Sequence, residues 1–129
     1  MARTMFILYV ADQDASRKFY AVVLEKDPAL DLPGMTEFAL TDDASLGLMP
    51  VKGIKSLLGD ALPDPGAANG IPRAELYLPC TDVSAVHARA LAAGARELRA
   101  PLDMPWGDRV AYCLDPDGHV LACAQSLST

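Results

Sequence analysis

The stretch LYVADQDAS at residues 8–16 returns as LYLPCTDVS at residues 76–84. Leu, Tyr, Asp and Ser recur at the same four offsets, and Val10 is answered by Leu78. Each copy is a short apolar, β-forming run that meets an aspartate and then a helical pattern. A chain of 129 residues can bury one real core but not comfortably two. The repeat therefore points to one domain, residues 1–129, made from two copies of a small unit.

The order of elements repeats as well. Phe6 to Val10 reads as a strand. Asp12 or Asp14 can cap a helix with Ala15, Phe19, Val22 and Val23 on one face. Pro28 and Pro33-Gly34 break it, and strands are expected at Thr36–Leu40 and Leu46–Val51. Ala74 to Cys80 restarts the pattern. Asp82 can cap a second helix with the face Val83, Val86, Ala90 and Leu91, closed by Gly94. Short strands follow at Arg96–Arg99, Arg109–Leu114 and His119–Gln125, with Pro101–Gly107 read as a loop. The two modules are then residues 1–51 and 73–129. Residues 52–72, rich in Gly, Pro, Ala and Asp, read as a connector with one helical turn around Ile54–Leu58; so long a connection is a linker or a functional flap. In the closing hairpin, Asp115-Pro116-Asp117-Gly118 suits a type I turn with a glycine bulge. That register sets Asp115 opposite His119 and Tyr112 opposite Ala122.

Composition narrows the partners. Half the chain is hydrophobic (51%) and 22% is charged, as in globular proteins. A net charge of −6 argues against nucleic acid, which selects basic surfaces. The start, MARTMFILYVADQD, offers only about six apolar residues before charge arrives, so no secretory signal is expected. No run approaches the roughly 18 apolar residues of a membrane span. Cys80, Cys113 and Cys123 lack CxxC spacing and sit in apolar stretches, so they read as buried small hydrophobes in a cytoplasmic protein.

Three stretches carry a family resemblance: LYVADQDASRKFY (8–20), ELYLPCTDV with its helix ending at Gly94, and WGDRVAYCLDPDGHVLACAQ (106–125). Together they resemble the vicinal oxygen chelate superfamily of glyoxalase I, bleomycin-resistance proteins and extradiol dioxygenases. The resemblance implies an α+β fold in which two βαβββ modules make a curved, incompletely closed mixed sheet. Its concave face would be the ligand site, often completed in a homodimer. Catalytic members hold a divalent metal through His and Glu. The four matching positions here are Met5, Gly47, Glu75 and Ala122, of which only Glu75 is a suitable donor. No metal and no other cofactor is therefore expected. His87, on a helix, and His119, at a strand end, are read as packed or exposed residues and not as ligands.

Strand alternation gives the cleft a lining of Ile7, Tyr9, Met49, Glu75, Tyr77 and Tyr112, with Trp106 at its rim; Phe6, Leu8, Val10, Leu76, Leu78 and Leu121 would face the helices. Such a surface suits a small aromatic or drug-like ligand, held by stacking and a few hydrogen bonds. The first functional reading is thus a metal-free binding protein like the bleomycin-resistance members. The alternative is a glyoxalase- or dioxygenase-like enzyme, metal-dependent or with Glu75 as general base and Tyr112 as proton donor. A structural dimer without ligand is the third. The plainer reading of the tyrosines and methionines is that they fill the trough.

Overall fold

The computed structural model describes residues 3–128. They form two compact units that divide between Asn69 and Gly70, and each unit holds one copy of the repeat.

The first unit opens with β1 (Thr4–Val10) and α1 (Gln13–Leu24) and continues through β2 (Leu30–Leu32), β3 (Met35–Ala39) and β4 (Ala44–Pro50). The sheet order is β1-β4-β3-β2, with β1 parallel to β4 and the other pairs antiparallel. Asp12 caps α1, its Oδ1 accepting from the Ala15 N–H at 3.0 Å. The buried face of the helix is Ser16, Phe19, Tyr20 and Val23. This differs from the expected stripe: Ala15 is exposed and Val22 points outward. Tyr20 takes an inward position, its ring edge-on to Phe19 with centroids 4.9 Å apart. α1 packs on β4 and β3, over Leu46, Leu48, Thr36 and Phe38, all fully buried. Phe6 was expected on this core and is 65% exposed. It lies on the edge strand β1, outside the strands that α1 covers.

The stretch after β4 is more ordered than a plain linker. α2 (Val51–Leu58) runs two turns and buries Ile54, and single 3₁₀ turns follow at Gly59–Ala61 and Pro65–Ala68. Lys55 Nζ ties them by donating to the carbonyls of Gly59 (2.8 Å) and Leu62 (2.6 Å).

The second unit repeats the plan with β5 (Glu75–Pro79), α3 (Val83–Ala92), β6 (Arg96–Asp103), β7 (Asp108–Leu114) and β8 (Val120–Ser126). Its order is β5-β8-β7-β6, again with one parallel pair, β5 to β8. Asp82 caps α3 by accepting from the Ala85 N–H at 3.2 Å. Past its end Gly94 takes φ +113, the left-handed conformation a glycine reaches without strain. The buried face is Val83, Val86, His87 and Ala90, so His87 occupies a core position beside the expected residues. Its Nε2 lies 2.9 Å from Glu97 Oε2, and its Nδ1 is buried without a hydrogen-bond partner among the described residues.

β6 runs through Asp103, well past the Arg99 end read from the sequence. Pro101 suggested a loop there. On an edge strand a missing N–H costs no ladder bond, and β6 shifts register twice around Pro101, between Glu97 and Arg99 and between Arg99 and Leu102.

Each module is thus a four-stranded mixed sheet that does not close, with its first helix against one face, in the α+β pattern expected. Among the described residues, no helix is long and apolar enough to cross a membrane.

Candidate binding face

In the first unit Met5, Ile7, Tyr9, Gly47 and Met49 share the sheet face away from α1, with Ile7 paired to Gly47 and Tyr9 to Met49. Gly47 is bare backbone under a lid of side chains. A Cβ built on it would meet Met5 Sδ at 2.8 Å, Ile7 Cγ1 at 3.0 Å and Met35 Sδ at 3.3 Å. Glu37, which strand alternation did not single out, is level with Gly47 on β3.

In the second unit the face away from α3 carries Glu75 and Tyr77 from β5, Val120, Ala122 and Ala124 from β8, and Asp108, Val110 and Tyr112 from β7. Ala122 is partnered by Tyr77 on one side and Tyr112 on the other. The two tyrosine Cα atoms are therefore two strand spacings apart, about 10 Å. Val110, Ala122 and Ala124 make a buried floor of small and medium side chains, with Tyr112 and Met104 packed on it.

Two turns of one kind frame this face. In Met104-Pro105-Trp106-Gly107-Asp108, the Gly107 N–H donates to the Met104 carbonyl (3.1 Å) and the Met104 N–H to the Asp108 carbonyl (2.8 Å). In Asp115-Pro116-Asp117-Gly118-His119, Gly118 donates to Asp115 (3.0 Å) and Asp115 to His119 (2.8 Å). The glycines have φ +97 and +88. Both are three-residue loops in which proline presets the first turn position and glycine takes the bulge. The second was read from the sequence. The first has the same P-x-G signature and lay inside the stretch read as loop.

That first turn positions the polar end of the face. Trp106 stands at its tip, 57% exposed, and its indole Nε1–H donates to the Tyr77 hydroxyl at 2.9 Å. The Tyr77 hydroxyl in turn donates to Asp108 Oδ2. Partial burial first, and then the bond to Asp108, hold the Tyr77 hydroxyl above the usual tyrosine range; the Trp106 N–H acts in the opposite sense. The structure thus brings Tyr77 and Trp106 together and adds Asp108, a residue that sequence reasoning missed.

Glu75 stands apart from this cluster. It pairs with Val120, one side-chain row away from Tyr77 and Ala122, and is exposed. Tyr112 is in the neighbouring row two strands over, so Glu75 and Tyr112 are diagonal, with Cα atoms more than about 10 Å apart.

The chain matches the profile of the Glyoxalase/Bleomycin resistance protein/Dioxygenase superfamily over residues 2–122. It belongs to that superfamily. An uncharacterised protein of Mycobacterium tuberculosis is 36% identical over 77 residues, 54% of this chain and 45% of the relative. The match spans about half the length of the curated relatives. Among solved structures, a glyoxalase/bleomycin resistance protein/dioxygenase family enzyme of Burkholderia phytofirmans superposes with a TM-score of 0.82 at 20% identity, over 98% of this chain and all (100%) of that one. A glyoxalase-related enzyme of Fulvimarina pelagi gives 0.80 at 23%, over 97% and 88%. TnmS3, an antibiotic-binding protein of a Streptomyces species, gives 0.69 at 27%, over 98% and 96%.

Within the superfamily a metal would call on the positions of Met5, Gly47, Glu75 and Ala122. These offer a thioether, no side chain, one exposed carboxylate and a fully buried methyl. A hard divalent cation takes several converging oxygen or nitrogen donors, and this set does not fit one. Among the described residues, no three His, Cys, Asp or Glu side chains gather where they could hold a metal ion.

Proposed function

We propose that this chain binds a small aromatic or drug-like molecule without a metal, on the second module's face bounded by Tyr77, Trp106 and Tyr112. The observation that carries this reading is the row Tyr77, Ala122, Tyr112. Where a metal-binding member would carry an acid, a methyl lies between two aromatic side chains, with Trp106 hydrogen-bonded at one end. Aromatic side chains hold a flat π-system by offset or edge-on contact, and Tyr77 and Trp106 keep 37% and 57% of their surface exposed for one. The similarity to an antibiotic-binding protein supports a binding role. The first module's Ile7, Tyr9 and Met49 are read as a second apolar face of the same kind. We also take the chain to act as a cytoplasmic homodimer, to be checked by light scattering and by fractionation of its host.

The enzymatic alternative is weaker. A general base at Glu75 would need burial to raise its proton affinity, and Glu75 is exposed.

Trp106 is the chain's single tryptophan, so its emission reports on the face directly. Titration with a panel of planar molecules is expected to give saturable quenching that weakens about tenfold or more in Tyr112→Ala, the scale of one lost aromatic contact. Elemental analysis of protein purified without chelator is expected to find no stoichiometric metal. A silent panel would remove the binding reading, and one tightly held divalent ion per chain would restore the metal-dependent alternative.

A further inference from the structure

We infer that Asp108 makes the second module's face selective for planar ligands that carry a cationic nitrogen. This rests on the proposed binding role and deepens it.

Trp106 has one polar donor, the indole N–H, and spends it on Tyr77. Tyr77 has one O–H, and spends it on Asp108. Neither aromatic residue has a donor left for a ligand. What remains at this end of the face is acceptor capacity on a carboxylate: an ionised Asp accepts about four hydrogen bonds, and the Tyr77 hydroxyl supplies one side-chain bond to Asp108. The polar part of a ligand stacked beside Trp106 must therefore be a donor.

Charge points the same way. Asp108 is half-buried at the start of β7. The neighbouring cation, Arg109, is engaged with Asp103, Nε to Oδ1 at 2.7 Å, and its position on β7 alternates to the opposite face. Arg99 is level with Tyr112, four residues along β7 from Asp108, or about 13 Å. Glu75 adds a second carboxylate to the same face. The Tyr77 bond also fixes one rotamer of Asp108, so the carboxylate is pre-set before a ligand arrives. A protonated ring amine, amidine or guanidine laid on the aromatic surface would make a charge-assisted hydrogen bond to Asp108 and a cation–π contact with Trp106. A planar carboxylate of the same shape would meet repulsion.

Three probes of one shape test this: 9-aminoacridine (cationic at neutral pH), acridine (neutral) and acridine-9-carboxylate (anionic), each titrated against Trp106 emission. The expected order is cation tightest, by about tenfold or more over acridine, and anion weakest. Asp108→Asn should cut the cation preference to about threefold or less, while Asp108→Glu keeps it. Should Asp108→Asn fail to fold, the parent protein answers alone: rising salt should weaken the cation and leave acridine nearly unchanged. Equal affinity for all three probes, or a cation preference that survives Asp108→Asn, would overturn the selectivity and leave the binding role standing. If none of the three binds, the binding role falls and the selectivity with it.

Discussion

Tyr77 and Tyr112 both stand level with Ala122, one on the parallel side of β8 and one on the antiparallel side. The spacing between the two aromatic side chains is thus set by backbone ladder geometry, and the smallest chiral side chain lies between them. Enlarging that side chain, which would push Tyr112 and Met104 off their floor, is the most direct test of the row. Ala122→Leu adds three carbons to a position with no exposed surface. It should lower stability by about 1–3 kcal/mol through overpacking and abolish quenching of Trp106 by planar ligands. Denaturant unfolding and the ligand titration check the two parts separately. A variant that binds as the parent does would show that ligands do not use this row.

The thiols make a pH prediction. Burial pushes Cys113 up to about 11 and Cys123 up to about 12, against an ordinary thiol near 9.0. Both folded values lie above the unfolded one, so folding holds these protons. The stabilisation is complete below pH ~9 and is lost as pH rises through the folded values. Stability measured between pH 8 and 11.5 should fall steadily, and Cys123→Ala should flatten the upper part of that decline. At pH 8 the half-buried Cys80 should be the first thiol to react with a disulfide reagent, with the other two appearing only on unfolding. Three equally fast thiols would contradict the packing under α3.

His87 offers a substitution expected to be harmless for a specific reason. Its buried Nδ1 has no partner among the described residues, and an unsatisfied buried polar atom costs about 1–3 kcal/mol. Glu97, its partner at Nε2, is half exposed and can rehydrate. His87→Leu should therefore keep stability within about 1 kcal/mol of the parent, or raise it, while His87→Ala should cost about 2 kcal/mol or more for the cavity. Urea unfolding of the pair decides. A leucine variant as damaged as the alanine one would mean that Nδ1 is satisfied in solution.

Two glycines that both have positive φ should respond differently to alanine. At Gly94, φ +113, an added Cβ meets nothing within 4 Å. Only backbone strain is paid there, about 1 kcal/mol. At Gly118, φ +88, the Cβ would lie 2.7 Å from the Gly70 carbonyl oxygen and 3.0 Å from its Cα. Backbone against backbone cannot yield cheaply, so Gly118→Ala should cost clearly more, about 2–3 kcal/mol. Thermal melts of the two variants make the comparison, and equal losses would argue against the close approach of the hairpin turn to Gly70.

Most of the fold could be read from local signals that carry their own cause. Asp12 and Asp82 cap the helices that they precede, Gly94 stops the second, and Asp115 to Gly118 sets the last hairpin register. The failures have physical reasons too. Phe6 looked like core because alternation knows the face of a strand but not which strands a helix covers. Val22 looked buried because a helix face drawn from apolar residues alone passes over Ser16 and Tyr20, which hold the inward positions. Pro101 looked like a break because an edge strand's tolerance for proline appears only once the sheet order is known. On the proposed binding face, alternation put Tyr77 and Tyr112 on one side of the sheet, as the pairing of both with Ala122 has it, while Asp108 escaped. Its link to the face is the Tyr77 hydroxyl reaching across from another strand, a contact of residues 31 apart in sequence. The one local clue was the P-x-G turn at Met104–Asp108, which delivers Trp106 and Asp108 together.

The bare backbone of Gly47 has a chemical consequence for the first module. The atoms over it are the thioether sulfurs of Met5 and Met35, and Met5 is 36% exposed. Peroxide reaches such a sulfur and leaves a sulfoxide, turning a soft apolar contact into a strongly polar, chiral one. The face around Gly47 is thus one whose character an oxidant rewrites and a reductase restores.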